Sequence, residues 1–396
     1  MTTYPEVSAA EYRIQADEKL EAAVRRIAHE QVEQAIAQLR GIDTHNAQGS
    51  IHQCRKHIKK LRGLLRMVRP SMGRAYRPAN NTFRDAARLL SPYRDAHALL
   101  ATFDDAIAAD PEGVPAGGLG AAWRELVRRA DDSTRSVTGG SAEVQRALEL
   151  LEHGAEGIDG WKLKGSGWNA AAGGVIKTYR RGLVALSAIE EGGAPERFHE
   201  LRKRAKYTWY HLRLLDETAP SVLAPTAGLF HALTDGLGDA HDLAVLRDMM
   251  LDEPDAFGGD QMVAAAFALL DGYRLTLERR STALAELLYA ESSEAFAERL
   301  GVYWSLRKRP PHGAAGELAK LFPPDDAWEK CTVARLRIAA RSVGLPGRST
   351  MHRDRLVAAL RAEGVDPGGS SDGTPVRSRS ARRCPAGDRR RGNLAA

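Results

Sequence analysis

The chain has 396 residues, of which 43% are hydrophobic, 27% charged and 6% aromatic, and its formal net charge is +6. This composition is typical of a soluble globular protein of two or three domains and excludes a wholly disordered chain. No uninterrupted apolar run reaches about 18 residues, and Met1–Ala10 lacks the pattern of a signal peptide. The three scattered cysteines indicate neither a disulfide framework nor a metal site. We therefore expect a cytoplasmic protein without a metal, a cofactor or a membrane partner.

Alanine- and leucine-rich segments with apolar residues at helical spacing predict an all-α fold. A glycine-rich connection is expected over Gly154–Gly174, and a kink at Pro92. The predicted helices, in chain order, are Glu11–Leu39 (ended by Gly41), Ser50–Val68 (ended by Pro70), Tyr76–Ala109, Leu119–Arg135, Ala142–His153, Val175–Ile189, Pro195–Leu215, Val222–Met250 and Gln261–Leu300.

The chain repeats itself at an offset of 147 residues, the separation between His52 and His199. One gap-free offset links two separate segments, which favours duplication over chance. We predict two tandem pseudo-symmetric antiparallel four-helix bundles, at about 10–153 and 168–303, within a domain over 10–305. The matching pairs are His52 and His199, Arg55 and Arg202, Lys56 and Lys203, Lys59 and Lys206, Arg66 and Arg213, Phe83 and Phe230, Leu90 and Leu237, Asp95 and Asp242, and Leu99 and Leu246.

The composition of the sequence changes after residue 305. Residues 306–325 contain the basic, proline-containing stretch Arg307–Pro311 and are predicted to be a linker. Residues 326–365 are predicted to form a small helix–extended loop–helix module, with helices over Thr332–Val343 and Arg353–Ala362. Residues 366–396 are rich in Gly, Ser, Pro and Arg, which predicts a disordered basic tail.

The two helices that contain His52 and His199 each place cations along one stripe, at about 100° per residue, and apolar residues on the opposite side. Ile51–Pro70 contains seven Lys or Arg residues and no acidic residue. Because neighbouring like charges repel, this pattern favours an anion-binding site over a solvated face. The candidate binding residues are His52, Arg55, Lys56, Lys59, Lys60, Arg62 and Arg66 on the first helix, and His199, Arg202, Lys203, Lys206, Tyr210 and Arg213 on the second.

Two long stripes fit an extended polyanion better than a single phosphate, which more often binds a glycine-rich loop. Inorganic polyphosphate requires only cations and hydrogen-bond donors. Nucleic acid remains the alternative, although base stacking requires aromatic platforms, which the first helix lacks. Asp95 and Asp242 are predicted to support basic side chains on neighbouring helices. A phosphohydrolase is the least favoured hypothesis, since no nucleophile or carboxylate cluster for a metal accompanies them.

The residues from about 10 to 300 resemble the CHAD domain, the conserved histidine α-helical domain. The resemblance is carried by His52-x-x-Arg55, Lys59-Lys60-x-Arg62, His199-x-x-Arg202-Lys203-x-x-Lys206, Leu237–Leu246 and Arg94-Asp95. It implies two four-helix bundles with a basic surface that binds inorganic polyphosphate, and localisation at polyphosphate granules for some members. Tyr207 and Trp209 depart from the family, whose second helix often has basic residues there. The ExExK signature of the CYTH triphosphatase domain is absent, so the resemblance implies binding without catalysis.

The C-terminal module resembles the N-terminal motif of the Rho termination factor and the SAP class. Three segments carry this resemblance: Thr332–Ala340, Gly344–Gly347 and Leu356–Leu360. Such modules often contact nucleic acid. The resemblance therefore supports the alternative function, a nucleic-acid-binding protein that uses this module and the Arg-rich tail.

Overall fold

A computed structural model of the protein describes residues 12–43, 47–114, 119–136, 138, 140–307, 333, 336, 340, 351–362, 365–366 and 376–377. The chain divides into two compact units, Met1–Glu317 and Leu318–Ala396. This division falls within the predicted linker over 306–325. The other predicted domain limits stay predictions.

The described part of the first unit is all-α, as predicted. Among the residues described, every helix is either too short or too polar to span a membrane. The helices are α1 (Leu20–Arg40), α2 (Ala47–Met67), α3 (Arg69–Met72), α4 (Tyr76–Leu89), α5 (Pro92–Ala109), α6 (Gly120–Ser136), α7 (Ala142–Glu156), α8 (Gly167–Glu190), α9 (Pro195–Leu214), α10 (Pro220–Asp252), α11 (Asp260–Leu288) and α12 (Ser293–Leu306).

The first predicted helix starts too early in the sequence. Tyr12 and Ile14 are buried, and the Ile14 amide donates to the Leu214 carbonyl at 2.9 Å. This contact satisfies a carbonyl at the end of α9, which has no partner within its own helix. The segment before Leu20 therefore packs against the core as an irregular chain rather than as a first helical turn.

Three further helix limits differ from the prediction. The segment Tyr76–Ala109 breaks between α4 and α5, because Pro92 begins the second helix instead of kinking one long helix. The segment Gln261–Leu300 breaks before α12, where the Ser292 hydroxyl accepts a hydrogen bond from the Ala295 amide at 3.1 Å. Helix α8 begins at Gly167, inside the predicted glycine-rich connection.

The helix limits repeat at the offset of 147 residues. Helix α1 begins at Leu20 and α8 at Gly167, while α2 ends at Met67 and α9 at Leu214. The apolar core, however, does not divide between the repeats. One cluster joins residues of α1, α2, α4 and α7 to residues of α8, α9, α10, α11 and α12, and a second joins residues of α5 and α6 to other residues of α10 and α11. The arrangement as two separate bundles therefore stays a prediction.

Helices α2 and α9 cross at equivalent positions, Gly63 and Tyr210. A Cβ atom at Gly63 would lie 2.8 Å from the Tyr210 Cβ, so glycine is required for this close approach. The Arg66 guanidinium lies 3.8 Å from the centre of the Tyr207 ring. Arg66 follows the crossing residue of α2, whereas Tyr207 precedes the crossing residue of α9. The two helices therefore run in opposite directions where they meet.

The second unit contains α13 (Arg353–Ala362) and two short antiparallel strands, β1 (Val365–Asp366) and β2 (Val376–Arg377). Leu336, Ala340, Leu356 and Leu360 form a small buried cluster. The predicted helix over Arg353–Ala362 is confirmed. Most of the predicted helix over Thr332–Val343, and the predicted tail over 366–396 apart from Asp366, Val376 and Arg377, lie outside the described residues.

Candidate anion-binding surface

Helices α2 and α9 bring cations of the two predicted stripes together. Arg213 on α9 is near enough to Lys56 and Lys60 on α2 to lower the pKa of each lysine, after the larger effect of desolvation. Lys56 in turn lowers the pKa of Lys206. We call Lys56, Lys60, Lys206 and Arg213 the cross-helix cluster. Its members come from both repeats, so the predicted stripes meet on one surface.

The cross-helix cluster concentrates positive charge in a partly desolvated environment. Burial, followed by Arg213 and Lys56, lowers the pKa of Lys60 to about 7. Burial lowers the pKa of Lys206 to about 8, aided by Arg202 and Lys56 and opposed by Asp235. Lys56 is exposed, yet the neighbouring protein also lowers its pKa through desolvation. An anion bound beside these lysines would favour the charged form of each and raise its pKa.

Aromatic rings support the cations of this cluster. The Lys206 ammonium lies 4.1 Å from the centre of the Trp209 ring, and the Arg213 guanidinium lies 5.2 Å from it. Tyr12 lies beneath both Lys60 and Arg213, at 5.7 and 5.8 Å. Cation–π contacts of this kind hold cations in position without neutralising them. Trp209, which departs from the family pattern, therefore contributes to the surface by positioning its neighbours.

Arg55 contacts α4, and Arg202 contacts α10. The Arg55 Nη1 donates to the Ala87 carbonyl at 2.6 Å and to the Ser91 hydroxyl at 2.7 Å. The Arg202 Nε donates to the Thr234 carbonyl at 3.3 Å. Ala87 and Thr234 are separated by the same offset of 147 residues as the two arginines. The sequence predicted both arginines as anion ligands, whereas the structure also gives them this positioning contact.

Arg62 and Arg66, which flank the crossing residue Gly63, converge on Asn80. The Arg62 Nε donates to the Asn80 Oδ1 at 3.3 Å, and the Arg66 Nη1 donates to the same atom at 3.2 Å. Arg66 also donates to the Arg62 carbonyl at 3.0 Å. Helix α9 crosses α2 between Lys60 and Arg66, so the cations of α2 lie on both sides of the crossing.

The remaining predicted cations and histidines differ in exposure. His52 and Lys203 are exposed, Lys59 is half-buried, and the Lys203 ammonium lies 2.5 Å from a Glu200 carboxylate oxygen. His199 stacks against His241 with the ring centres 4.3 Å apart. Burial, followed by His241, lowers the pKa of His199 to about 4. In the ligand-free protein His199 is therefore neutral at pH 7.

Tyr210 requires a correction as a direct ligand. Its position on α9 lies within the cationic stripe, but its ring is only 2% exposed and packs edge-on against Tyr12 at 5.8 Å. The crossing of α2 at Gly63 covers this part of the stripe. Tyr210 therefore belongs to the core beneath the surface.

The two supporting aspartates are placed only in part. Asp95 lies on α5, and its side chain lies outside the described part of the structure. Asp242 is half-buried on α10, where its charge helps to raise the pKa of Asp239 to about 7, an effect caused first by burial and then by Asp105. The predicted pairing of Asp242 with a basic side chain stays a prediction. The residues described contain no group of three or more potential ligands arranged to hold a metal ion.

Sequence reasoning missed a second group of cations near the C-terminal end of α2. Arg69, Lys177, Arg181 and Arg204 line a pocket there together with Arg66. Lys177 and Arg181 stand one helical turn apart on α8, outside both predicted stripes. Their spacing and sign are visible in the sequence and could have indicated this pocket.

Fold and surface together define an all-α protein whose basic surface is built from two equivalent helices. The CHAD domain matches residues 26–251, which is more than half of the chain, and the protein belongs to this family. No curated protein matches the chain. The family match ends before the C-terminal module, whose resemblance to the Rho and SAP motifs stays a prediction.

Proposed function

We propose that this protein binds inorganic polyphosphate without catalysis, through the surface where α2 and α9 cross. The observation that carries the proposal is the cross-helix cluster, in which Lys56 and Lys60 of one repeat lie close to Lys206 and Arg213 of the other. Membership of the CHAD family supports the same ligand, because CHAD domains are known to bind polyphosphate. Association with polyphosphate granules is part of this proposal.

In the proposed mechanism, successive phosphates replace solvent around the cations of α2 and α9. Lys56, Lys206 and Arg213 contact the chain near the crossing, and exposed His52 and Lys203 extend the contacts away from it. Arg offers a planar fork of donors and Lys a compact charge, and neutralisation of each phosphate releases condensed counterions. Arg55 and Arg202 keep the adjoining helices in place through their carbonyl contacts.

The competing function is nucleic-acid binding through the C-terminal module. A chain ending after Arg307 separates the two functions, since it retains α12 and the contact of Arg307 with the Trp304 ring at 3.8 Å. We expect this chain to keep its polyphosphate affinity within about twofold, because the organised cations lie on α2 and α9. Binding to single-stranded RNA or DNA of matched charge should fall by about tenfold or more, because many cations are removed and few aromatic platforms remain.

Isothermal titration of the full and shortened chains against the three polymers makes this comparison. A fragment starting at Pro310 provides the reciprocal control. If this fragment kept the polyphosphate affinity of the full chain while the shortened chain lost it, the C-terminal region would be the polyphosphate binder and the proposal would be wrong.

Polyphosphate binding should weaken as the pH rises from about 7 to 9. In the free protein the pKa of Lys60 is about 7 and that of Lys206 about 8, and the bound polyanion should raise both pKa values. Binding should therefore take up protons, which titration calorimetry in two buffers of different ionisation enthalpy can measure. The folded-state pKa values lie below the ordinary value of 10.5, so the stability of the ligand-free protein should change in the opposite direction and increase over this pH range. Equal proton uptake by wild type and a Lys60→Met, Lys206→Met variant would contradict this assignment.

A further inference from the structure

A pocket of clustered cations lies beside the end of α2, apart from the cross-helix cluster. Helix α8 reaches this point because Gly174 lets its backbone approach the carbonyl groups of Arg66 and Met67. The pocket is bounded by Arg66 from α2, Arg69 from α3, Lys177 and Arg181 from α8, and Arg204 and Tyr207 from α9. We call these six residues the basic pocket.

The cations of the basic pocket are held close together. Arg66 is fixed over the Tyr207 ring at 3.8 Å and by its hydrogen bond to Asn80 at 3.2 Å. The side chain of Arg204 is only 12% exposed, and its Nε is buried without a hydrogen-bond partner among the described residues. A buried donor without a partner among the described residues is costly to the folded protein.

The charge of the basic pocket is only partly balanced. Glu200 contacts Arg204 and lies 3.9 Å from Arg181, but it also pairs with Lys203. Burial, followed by the charge of Arg204, lowers the pKa of Arg181, and burial also lowers that of Arg66. The surroundings therefore disfavour the charged forms of Arg66 and Arg181, as expected for a site in which a bound anion would balance them.

The basic pocket is not a by-product of the duplication. At the offset of 147 residues, Lys177 is matched by Glu30, Arg181 by Gln34 and Arg204 by His57. The pKa of His57 is lowered to about 4, first by burial, so this histidine is neutral at pH 7. The equivalent place in the other repeat therefore lacks the concentration of positive charge, and the pocket is particular to α8 and α9.

We propose that the basic pocket binds a compact phosphoryl group, either a free phosphate compound or the terminal phosphate of a polyphosphate chain. Its cations surround a small space instead of following a helix, which suits a group that presents several oxygens at one point. Apart from Arg66 its residues lie outside the predicted stripes. The inference deepens the proposed polyphosphate function if the occupant is a chain end, and it is independent of that function if the occupant is a free phosphate compound.

The test uses the full chain and inorganic pyrophosphate, measured by titration calorimetry at low salt. The variant Lys177→Gln, Arg181→Gln removes two exposed cations of the pocket and leaves Arg66 and Arg204 in place. We expect it to bind pyrophosphate at least tenfold more weakly than wild type. Lys177→Glu, which introduces the residue type found at the equivalent position Glu30, should give a similar loss.

The matched control is Arg124→Gln, Arg146→Gln, which removes the same charge from exposed positions on α6 and α7. It should bind pyrophosphate like wild type, as should a variant of the cross-helix cluster, so that failure of the two proposals can be told apart. Unchanged pyrophosphate affinity in the Lys177 and Arg181 variants, or an equal loss in the control, would overturn the inference.

Competition identifies the source of the phosphoryl group. If polyphosphate with free ends displaces pyrophosphate from wild type and polyphosphate with esterified ends does not, the pocket holds the chain end. If neither polymer displaces it, the pocket holds a free phosphate compound. Equal displacement by both polymers would place pyrophosphate on the surface that binds the chain and would overturn the inference.

Discussion

Reversing the charge of Lys56 and Lys206 together is expected to weaken polyphosphate binding by about 100-fold or more. Each lysine contributes a charge-assisted contact on the order of 1–3 kcal/mol, and each reversal adds repulsion between the new carboxylate and the phosphates. Both residues lie at the crossing, one on each helix, so the variant Lys56→Glu, Lys206→Glu affects both repeats. Titration with a polyphosphate of defined length measures the loss.

This pair is a sharper test than substitution of Arg55 or Arg202. Those two arginines donate to backbone carbonyls of neighbouring helices, so their loss would combine an effect on binding with an effect on folding. Arg124→Glu, Arg146→Glu changes the net charge equally and is the matched control. Similar affinities in this control and in the Lys56, Lys206 variant would show that binding depends on total charge and not on the proposed surface.

Replacing Gly174 with alanine is expected to lower the free energy of unfolding by about 3 kcal/mol. The added Cβ would overlap the Met67 carbonyl oxygen and would lie 2.5 Å from that of Arg66. Both obstructing atoms belong to the backbone of α2, so a change of rotamer cannot relieve the contact. The loss should exceed the gain of about 1 kcal/mol that alanine gives over glycine within a helix. Urea denaturation measures the difference.

Gly272 provides the control for this substitution. It also lies within a helix, α11, but a Cβ there would meet no other atom within 4 Å. Gly272→Ala should therefore leave stability unchanged or raise it slightly. A Gly174→Ala variant as stable as Gly272→Ala would show that α8 and α2 do not pack as closely as described.

Helix type and repeat offset could be read from the sequence because both depend on local patterns. Apolar spacing predicted α2, α9 and α10 nearly to their ends. The start of α1 could not be predicted in this way, since it depends on the contact between Ile14 and Leu214, which are far apart in the chain. The joining of helices from both repeats in one core was not predicted for the same reason, because a sequence repeat does not determine which helices pack together.

The two stripes of cations stay a prediction as a binding surface, whereas the depth at which some of their residues lie differs from the prediction. A helical projection places Tyr210 beside Lys206, although only the crossing partner decides which position is covered. Lys60, at 9% exposure, was likewise counted as a surface residue. The basic pocket was missed because Arg204 and Tyr207 lie about 80–140° around the helix from His199, on a side that matters only once α8 is in place.

The opposite directions of α2 and α9 at their crossing bear on the polarity of a chain that binds there. A linear polyphosphate has two chemically identical ends, so reversing it yields the same molecule, whereas a nucleic-acid strand reads differently in its two senses. Arg66 of α2 meets Tyr207 of α9 on one side of the crossing, and the equivalent Arg213 of α9 approaches Lys60 of α2 on the other. Each side therefore places an arginine of one helix against the other helix. If polyphosphate binds at the crossing as we propose, both senses of the strand present the same chemical groups to the two helices, whereas the two senses of a nucleic-acid strand do not.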